Sequence, residues 1–364
     1  MVKKLEAAQA LGKRSNYAYF EGLQWNLDRA SVIRPADEVE REFLIGTDIV
    51  KADLYLAEIV GRLSFADASM ILEELSLMKK NPKYEGVNLP GCKMDTVKRG
   101  LQRLSYNGLV RCFSYTTHDN KSKMQIYCIS EVGLHLVRKV LYSSVKMEDT
   151  MLALEPVEEA FRRLVASYCL QVMRRRYGLT DIWFAKKKYV PPNGRQIIYG
   201  QCEYRHEDRT HVILIEPVYF CNDKSIVNSH RIESHAEFRM KVLDSYIDKL
   251  NEARNNLDIE ILFLVEDKEG LKKTVSIALR KCEFIRNMLP REIKDVIDNE
   301  QNTEEVDFKT IPALAKHVMF SSEPLLYYSA GEEFLVLRKL KEGNPSAPAF
   351  GKATPIWGKN AEKQ

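Results

Sequence analysis

No run of about 18 apolar residues occurs in the 364-residue chain, so no transmembrane helix is expected. Met1–Tyr17 starts basic but has neither a continuous apolar segment nor a cleavage site, so no signal peptide is expected. The phosphate-cradling pattern GxxxxGK(S/T) is missing, which argues against a P-loop ATPase. No GxSxG nucleophile elbow occurs, and no two histidines stand four apart with a glutamate between them as in a zinc protease. There is no CxxC pair. The seven cysteines (Cys92, Cys112, Cys128, Cys169, Cys202, Cys221, Cys282) are dispersed and odd in number, and read as buried free thiols of a reducing cytosol. Neither sign of charge dominates. The 55 Lys and Arg against 51 Asp and Glu leave a formal net charge of +4, and a basic face can coexist with that near-balance. No internal repeat is visible.

What is present is globular: 45% hydrophobic and 29% charged residues, enough for a core. At about 100–200 residues per domain, the length suggests two domains. Residues 1–46 are polar with scattered aromatics and read as an arm, with one helix around 36–44. From Thr47 the apolar residues recur at helical spacing. Ile49, Leu56, Ile59, Val60 and Leu63 share a face, and Thr47 or Asp48 is placed to cap it. A second helix is expected from Asp67, with Ile71, Leu72, Leu75 and Met78 inward, followed by a loop rich in Lys, Pro and Gly.

A third helix, with Asp95 or Thr96 as its cap, turns Val97, Leu101 and Leu104 inward and leaves Thr96, Lys98, Arg99, Gln102 and Arg103 outside, with Lys93 just before it. Asn107-Gly108 supplies its left-handed stop. Leu109–Tyr115 and Lys123–Ile129 alternate as strands about a polar, basic turn containing Lys121, which makes a β-hairpin wing. A further helix follows from Ser130, with Val132, Leu136, Val137 and Val140 apolar.

The stretch from Thr96 to Val137 resembles the recognition helix, wing and following helix of MarR-like and related winged-helix proteins. The shared features are Arg103-Leu104, Gly108-Leu109-Val110, Arg111, the His118-Asp119 turn and the Ser-x-x-Gly start at Ser130–Gly133. The resemblance implies a winged helix-turn-helix DNA-binding domain over 47–142, with double-stranded DNA as partner. In such a fold the third helix enters the major groove and the wing follows the backbone. The expected DNA contacts are Lys93, Thr96, Lys98, Arg99, Gln102 and Arg103, with Lys121 and Lys123 of the wing on phosphates. Solvated surface charge is the competing reading of the same residues, and a winged helix can also dock proteins.

A linker over 143–156 leads to a second domain over 157–340, and 341–364 is Gly-, Pro- and Lys-containing and read as a disordered tail. Residues 157–176 are helical and end in Arg174-Arg175-Arg176, where cations offset a helix dipole or meet phosphate. Strands follow around 180–190, 195–205 and 210–220, then a helix, the strand-like IEILFLVED, another helix and HVMFSS. Lys186-Lys187-Lys188 read as a hairpin turn, and His206, His211, His230 and His235 as solvated loop residues rather than a metal site.

This order of elements resembles a PD-(D/E)XK nuclease-like core. With the winged helix, the chain resembles the replication-relaxation family of plasmids and integrative elements, on Thr180-Asp181, Ile215-Glu216, the helix with Lys241, Tyr246 and Lys249, and the strand ILFLVED. The fold class expected is thus an α+β winged helix-turn-helix domain followed by an α/β restriction-endonuclease-like domain. The family's catalytic carboxylates carry over to Asp181 and Glu216 as relics. A live site needs Glu-x-Lys at the second acid to support Mg²⁺ and water, and here Glu216-Pro217-Val218 stands instead. Lys241 or Lys249 is the replacement that the next helix offers.

Three functions stay open: a DNA-binding accessory or regulatory protein of a mobile element, a Mg²⁺-dependent site-specific nuclease or nickase, and a protein-interaction module. No cofactor is expected unless the second domain is active, when it would need Mg²⁺. A relaxase or replication protein and a second copy of the chain are the further partners the resemblance admits, and no membrane.

Overall fold

In a computed structural model, the protein is a mixed α/β chain described over residues 26–27, 35–46, 49–116, 123–145, 157–177, 181–189, 196–206, 208–218, 226–265, 268–299 and 317–321. It forms two compact units. The N-terminal unit comprises Leu23–Tyr168 and Phe184–Lys186; the C-terminal unit comprises Met1–Gly22, Cys169–Trp183 and Lys187–Gln364.

The N-terminal unit runs β1 (Asn26–Leu27), α1 (Ala36–Ile45), α2 (Lys51–Leu63), β2 (Ala66–Asp67), α3 (Ala68–Lys80), a 3₁₀ turn (Pro82–Tyr84), α4 (Met94–Tyr106), β3 (Val110–Thr116), β4 (Lys123–Ile129) and α5 (Glu131–Leu141). Its sheet has the order β1-β3-β4-β2. β3 and β4 form an antiparallel pair from Val110↔Ile129 to Thr116↔Lys123, and β2 joins β4 antiparallel through Ala66↔Tyr127. Lys123–Ile129 forms a strand as the sequence predicts; the turn expected before it falls on 117–122, outside the described residues.

Each helix has a local cause. The Asp67 carboxylate accepts from Ser69 N (2.6 Å) and Met70 N (2.9 Å), satisfying two orphan donors at the start of α3. α4 ends in a Schellman motif: Leu109 N–H reaches Leu104 O, Gly108 N–H reaches Ser105 O, and Gly108 takes φ +75°. Ser130 caps α5 by accepting from Gly133 N (2.9 Å) while its hydroxyl donates to Gly108 O (2.6 Å). Apolar burial then fixes the packing. Leu54, Leu56, Ile59, Val60 and Leu63 of α2 are fully buried, as are Val97 and Leu101 of α4. Burial of that kind contributes about 1.5–3 kcal/mol per side chain.

Two helix starts differ from expectation. α2 begins at Lys51 behind Val50, which offers no side-chain cap, and Thr47 and Asp48 lie outside the described residues. α4 begins at Met94 behind Lys93, likewise uncapped, which puts Asp95 and Thr96 inside the first turn. Asp95 still suits that turn, because a carboxylate complements the positive end of the helix dipole.

α6 (Val157–Tyr177) contributes its residues to Tyr168 to the N-terminal unit. Arg163, fully buried, donates from Nη1 to Ser64 Oγ (2.9 Å), and Ser167 Oγ donates to Leu63 O (3.2 Å).

The C-terminal unit carries β5 (Asp181–Tyr189) apart from Phe184–Lys186, then β6 (Gln196–His206), β7 (Arg209–Val218), α7 (Ile226–Ala253), β8 (Leu257–Val265), α8 (Lys268–Lys281), α9 (Glu283–Asn287), α10 (Arg291–Asn299) and β9 (Val318–Ser321). Its sheet has the order β5-β6-β7-β8-β9. β6 and β7 are antiparallel, while β7–β8 and β8–β9 are parallel, so α7 is the crossover that parallel strands require. Val212, Leu214, Ile259, Ile261 and Phe263 pack under Met240, Leu243 and Ile247 of α7 and Ile277 of α8. Lys186, Lys187 and Lys188 lie within β5 rather than in a turn. The stronger breaker in the sequence, Pro191-Pro192-Asn193-Gly194, comes after them.

Candidate nucleic-acid interface

The amphipathic pattern of α4 decides which residues face solvent. Val97, Gly100, Leu101, Leu104 and Ser105 are buried, and Asp95, Lys98, Arg99, Gln102, Arg103 and Tyr106 are exposed. These recur at three- and four-residue steps and so share one surface of the helix. Lys93 is exposed just ahead of the first turn, and Thr96 is half-buried. Arg99 Nε donates back to Asp95 O (3.3 Å). The last turn of α3 adds Lys79 and Lys80, and the 3₁₀ turn adds Lys83, all exposed.

Gly100 brings α4 close to α2. A Cβ there would lie 2.5 Å from Leu56 Cδ1 and 3.0 Å from Asp53 Oδ1. Beside this crossing, Arg103 Nε donates to Asp53 Oδ2 (2.7 Å) and Arg103 Nη2 to Oδ1 (2.9 Å). The Asp53 side chain is 5% exposed and that of Arg103 45%. Hydrogen bonding to Asp53 raises the guanidinium pKa above its ordinary value, so the cation is permanent. Arg103 is therefore fastened to α2 rather than free to swing. Asp53 itself carries no local signal; it sits 50 residues away and looks like an ordinary first-turn carboxylate.

Of the two wing lysines, Lys121 lies outside the described residues, and Lys123 opens β4 opposite Thr116.

Of the two carboxylates carried over from the nuclease resemblance, only Glu216 has a described side chain. Asp181 opens β5, and its side chain lies outside the described residues. Glu216 is fully buried on β7, where Arg239 of α7 donates from Nε to Oε1 and from Nη2 to Oε2, both at 2.7 Å. The same guanidinium sits over the Tyr199 ring, 4.6 Å from its centroid. Lys241 and Lys249 are exposed, on the other side of α7 from its buried face of Arg239, Met240, Leu243 and Tyr246.

The histidines also differ from a solvated loop. His211 is buried on β7, its ring stacked on Tyr204 at 4.8 Å, with Nδ1 2.9 Å from Glu260 Oε1. Tyr204 Oη donates to the same Glu260 oxygen (2.9 Å), and burial raises the phenol pKa. His206 ends β6, and His230 and His235 belong to α7. No group of three or more His, Cys, Asp or Glu among the described residues could hold a metal ion. The described cysteines are free. Cys92 is exposed, contrary to expectation, because it lies in the loop before α4, and Cys112, Cys128, Cys169, Cys202 and Cys282 are buried. No helix among the described residues is long and apolar enough to cross a membrane.

No protein-family model, no curated protein and no solved structure matches this chain.

Proposed function

We propose that the chain binds double-stranded DNA sequence-specifically through α4, with the β3–β4 hairpin as a wing against the backbone. The observation that carries this reading is the outer surface of α4. Lys93, Lys98, Arg99, Gln102 and Arg103 stand on one exposed surface against the single carboxylate Asp95, on a helix anchored from behind by its buried residues. A helix of 13 residues is about 20 Å long and fits a major groove about 12 Å wide. The succession α2, β2, α3, α4, β3, β4, with β2 paired to β4, supports a winged helix-turn-helix as the framework. Arg99 and Gln102 have side chains suited to guanine and adenine edges; Lys93, Lys98 and Lys123 suit phosphates.

The role we propose is that of an accessory or regulatory DNA-binding protein of a mobile element, which rests on the resemblance to replication-relaxation proteins. The C-terminal unit resembles a nuclease core in element order, but both oxygens of Glu216 are engaged by Arg239, and we assign it no catalysis. A mobility-shift assay on a pool of random duplexes tests the proposal. The full-length chain shifts the pool, and a Lys98→Ala, Arg99→Ala double variant of unchanged melting temperature shifts it more weakly. A shift unchanged in that variant would refute it.

A further inference from the structure

Arg103 has two hydrogen-bonding edges. Asp53 takes one of them, the Nε–H and one Nη2–H, at 2.7 and 2.9 Å. The other edge, formed by Nη1–H and the second Nη2–H, presents two parallel donors. The carboxylate is 5% exposed and anchored on α2, whereas the arginine side chain is 45% exposed on α4. A free arginine loses much rotamer entropy when it engages a partner; one already held by a buried carboxylate has lost most of it before any ligand arrives. Parallel donors fixed on the outer surface of a groove-sized helix match two acceptors side by side, which among base edges in the major groove is the O6 and N7 of guanine.

We infer that Asp53 and Arg103 form a guanine-reading pair, in which Asp53 is the positioning residue and the outer edge of Arg103 contacts O6 and N7 of one guanine. The inference rests on the reading of α4 as the duplex-facing helix, and adds to it which base is fixed and which buried residue sets the preference. Gly100 is part of the device, since a side chain there would press on Asp53 Oδ1 and Leu56. Lysine cannot replace Arg103, because an ammonium has no planar fork.

The test has two stages, both with the full-length chain. Selection from a random duplex pool first yields a binding site, which by this inference contains one invariant guanine. Replacing that base with 7-deazaguanine, which lacks the N7 acceptor, then weakens wild-type binding about tenfold. Arg103→Lys loses the preference at that position alone, and 7-deazaguanine no longer matters to it. Asp53→Asn weakens the same preference while the salt dependence of binding stays that of the wild type. Arg103→Lys keeps a cation beside Asp53, so it carries the test alone if Asp53→Asn fails to fold. A uniform loss of affinity for all sites in Arg103→Lys would make Arg103 a phosphate contact and overturn the inference while leaving DNA binding intact. Wild-type preference retained in both variants would make the pair purely structural and overturn it too. No enrichment by the wild-type chain would overturn the reading of α4 and this inference with it.

Discussion

Glu216 and Arg239 close on each other as a bidentate pair in the C-terminal unit, with Glu216 0% and Arg239 3% exposed. Two charges removed from water hold each other's desolvation in check, and removing one strands the other. Arg239→Ala and Glu216→Ala are each expected to lower stability by about 3–5 kcal/mol, read as a reduced denaturant midpoint. Replacing both with apolar residues of similar volume, Glu216→Leu with Arg239→Met, costs less than either single change. A double variant as unstable as the sum of the singles would contradict the pairing.

Gly133 lies against the backbone of Leu109, so that a Cβ there would overlap the Leu109 carbonyl group. Backbone does not yield as a flexible side chain does. Gly133→Ala is expected to destabilise the N-terminal unit by about 1–3 kcal/mol or more, although alanine is the better helix former. Thermal melting of the variant checks this; a rise in melting temperature would mean that helix propensity outweighs the contact.

Asp244 on α7 accepts from Glu283 N (2.8 Å) and Phe284 N (3.0 Å), capping α9 from a distance. Burial nonetheless holds its carboxyl above the usual value of 3.8, against the lowering effect of those bonds. The folded chain therefore binds this proton more tightly than the unfolded chain. The stability that protonation contributes is present below 3.8 and is lost as pH rises through the raised value. Asp244→Asn does not titrate there, so its stability relative to the wild type improves as pH rises across that window. Urea midpoints measured for both proteins at several pH values check the trend, and a constant difference would contradict it.

Local chemistry was legible in the sequence where one short stretch supplies both partners. A helix starts at Asp67 as expected, with Asp67 itself as its cap, Asn107-Gly108 ends α4, and Ser130 with Gly133 opens α5. The buried stripe of Val97, Leu101 and Leu104, and hence the outer surface opposite, follows from helical periodicity alone. Pairings between distant segments were not legible. Asp53 and Arg103, or Glu216 and Arg239, read singly as surface charge or as relic, since only the fold brings each partner within reach. His211 was misread for the same reason: a polar ring between alternating residues resembles a loop until β8 supplies Glu260 beside it.

The salt dependence of duplex binding by the full-length chain tests the central claim most directly. Each phosphate contact neutralised by a lysine steepens the fall of log K against log salt by about 0.9. The account predicts measurable binding at low salt, and a slope made shallower by about one for Lys98→Ala and again for Lys93→Ala. Arg99→Ala instead weakens binding chiefly to the preferred sequence. Absence of duplex binding at low salt, or slopes identical in wild type and lysine variants, would contradict it.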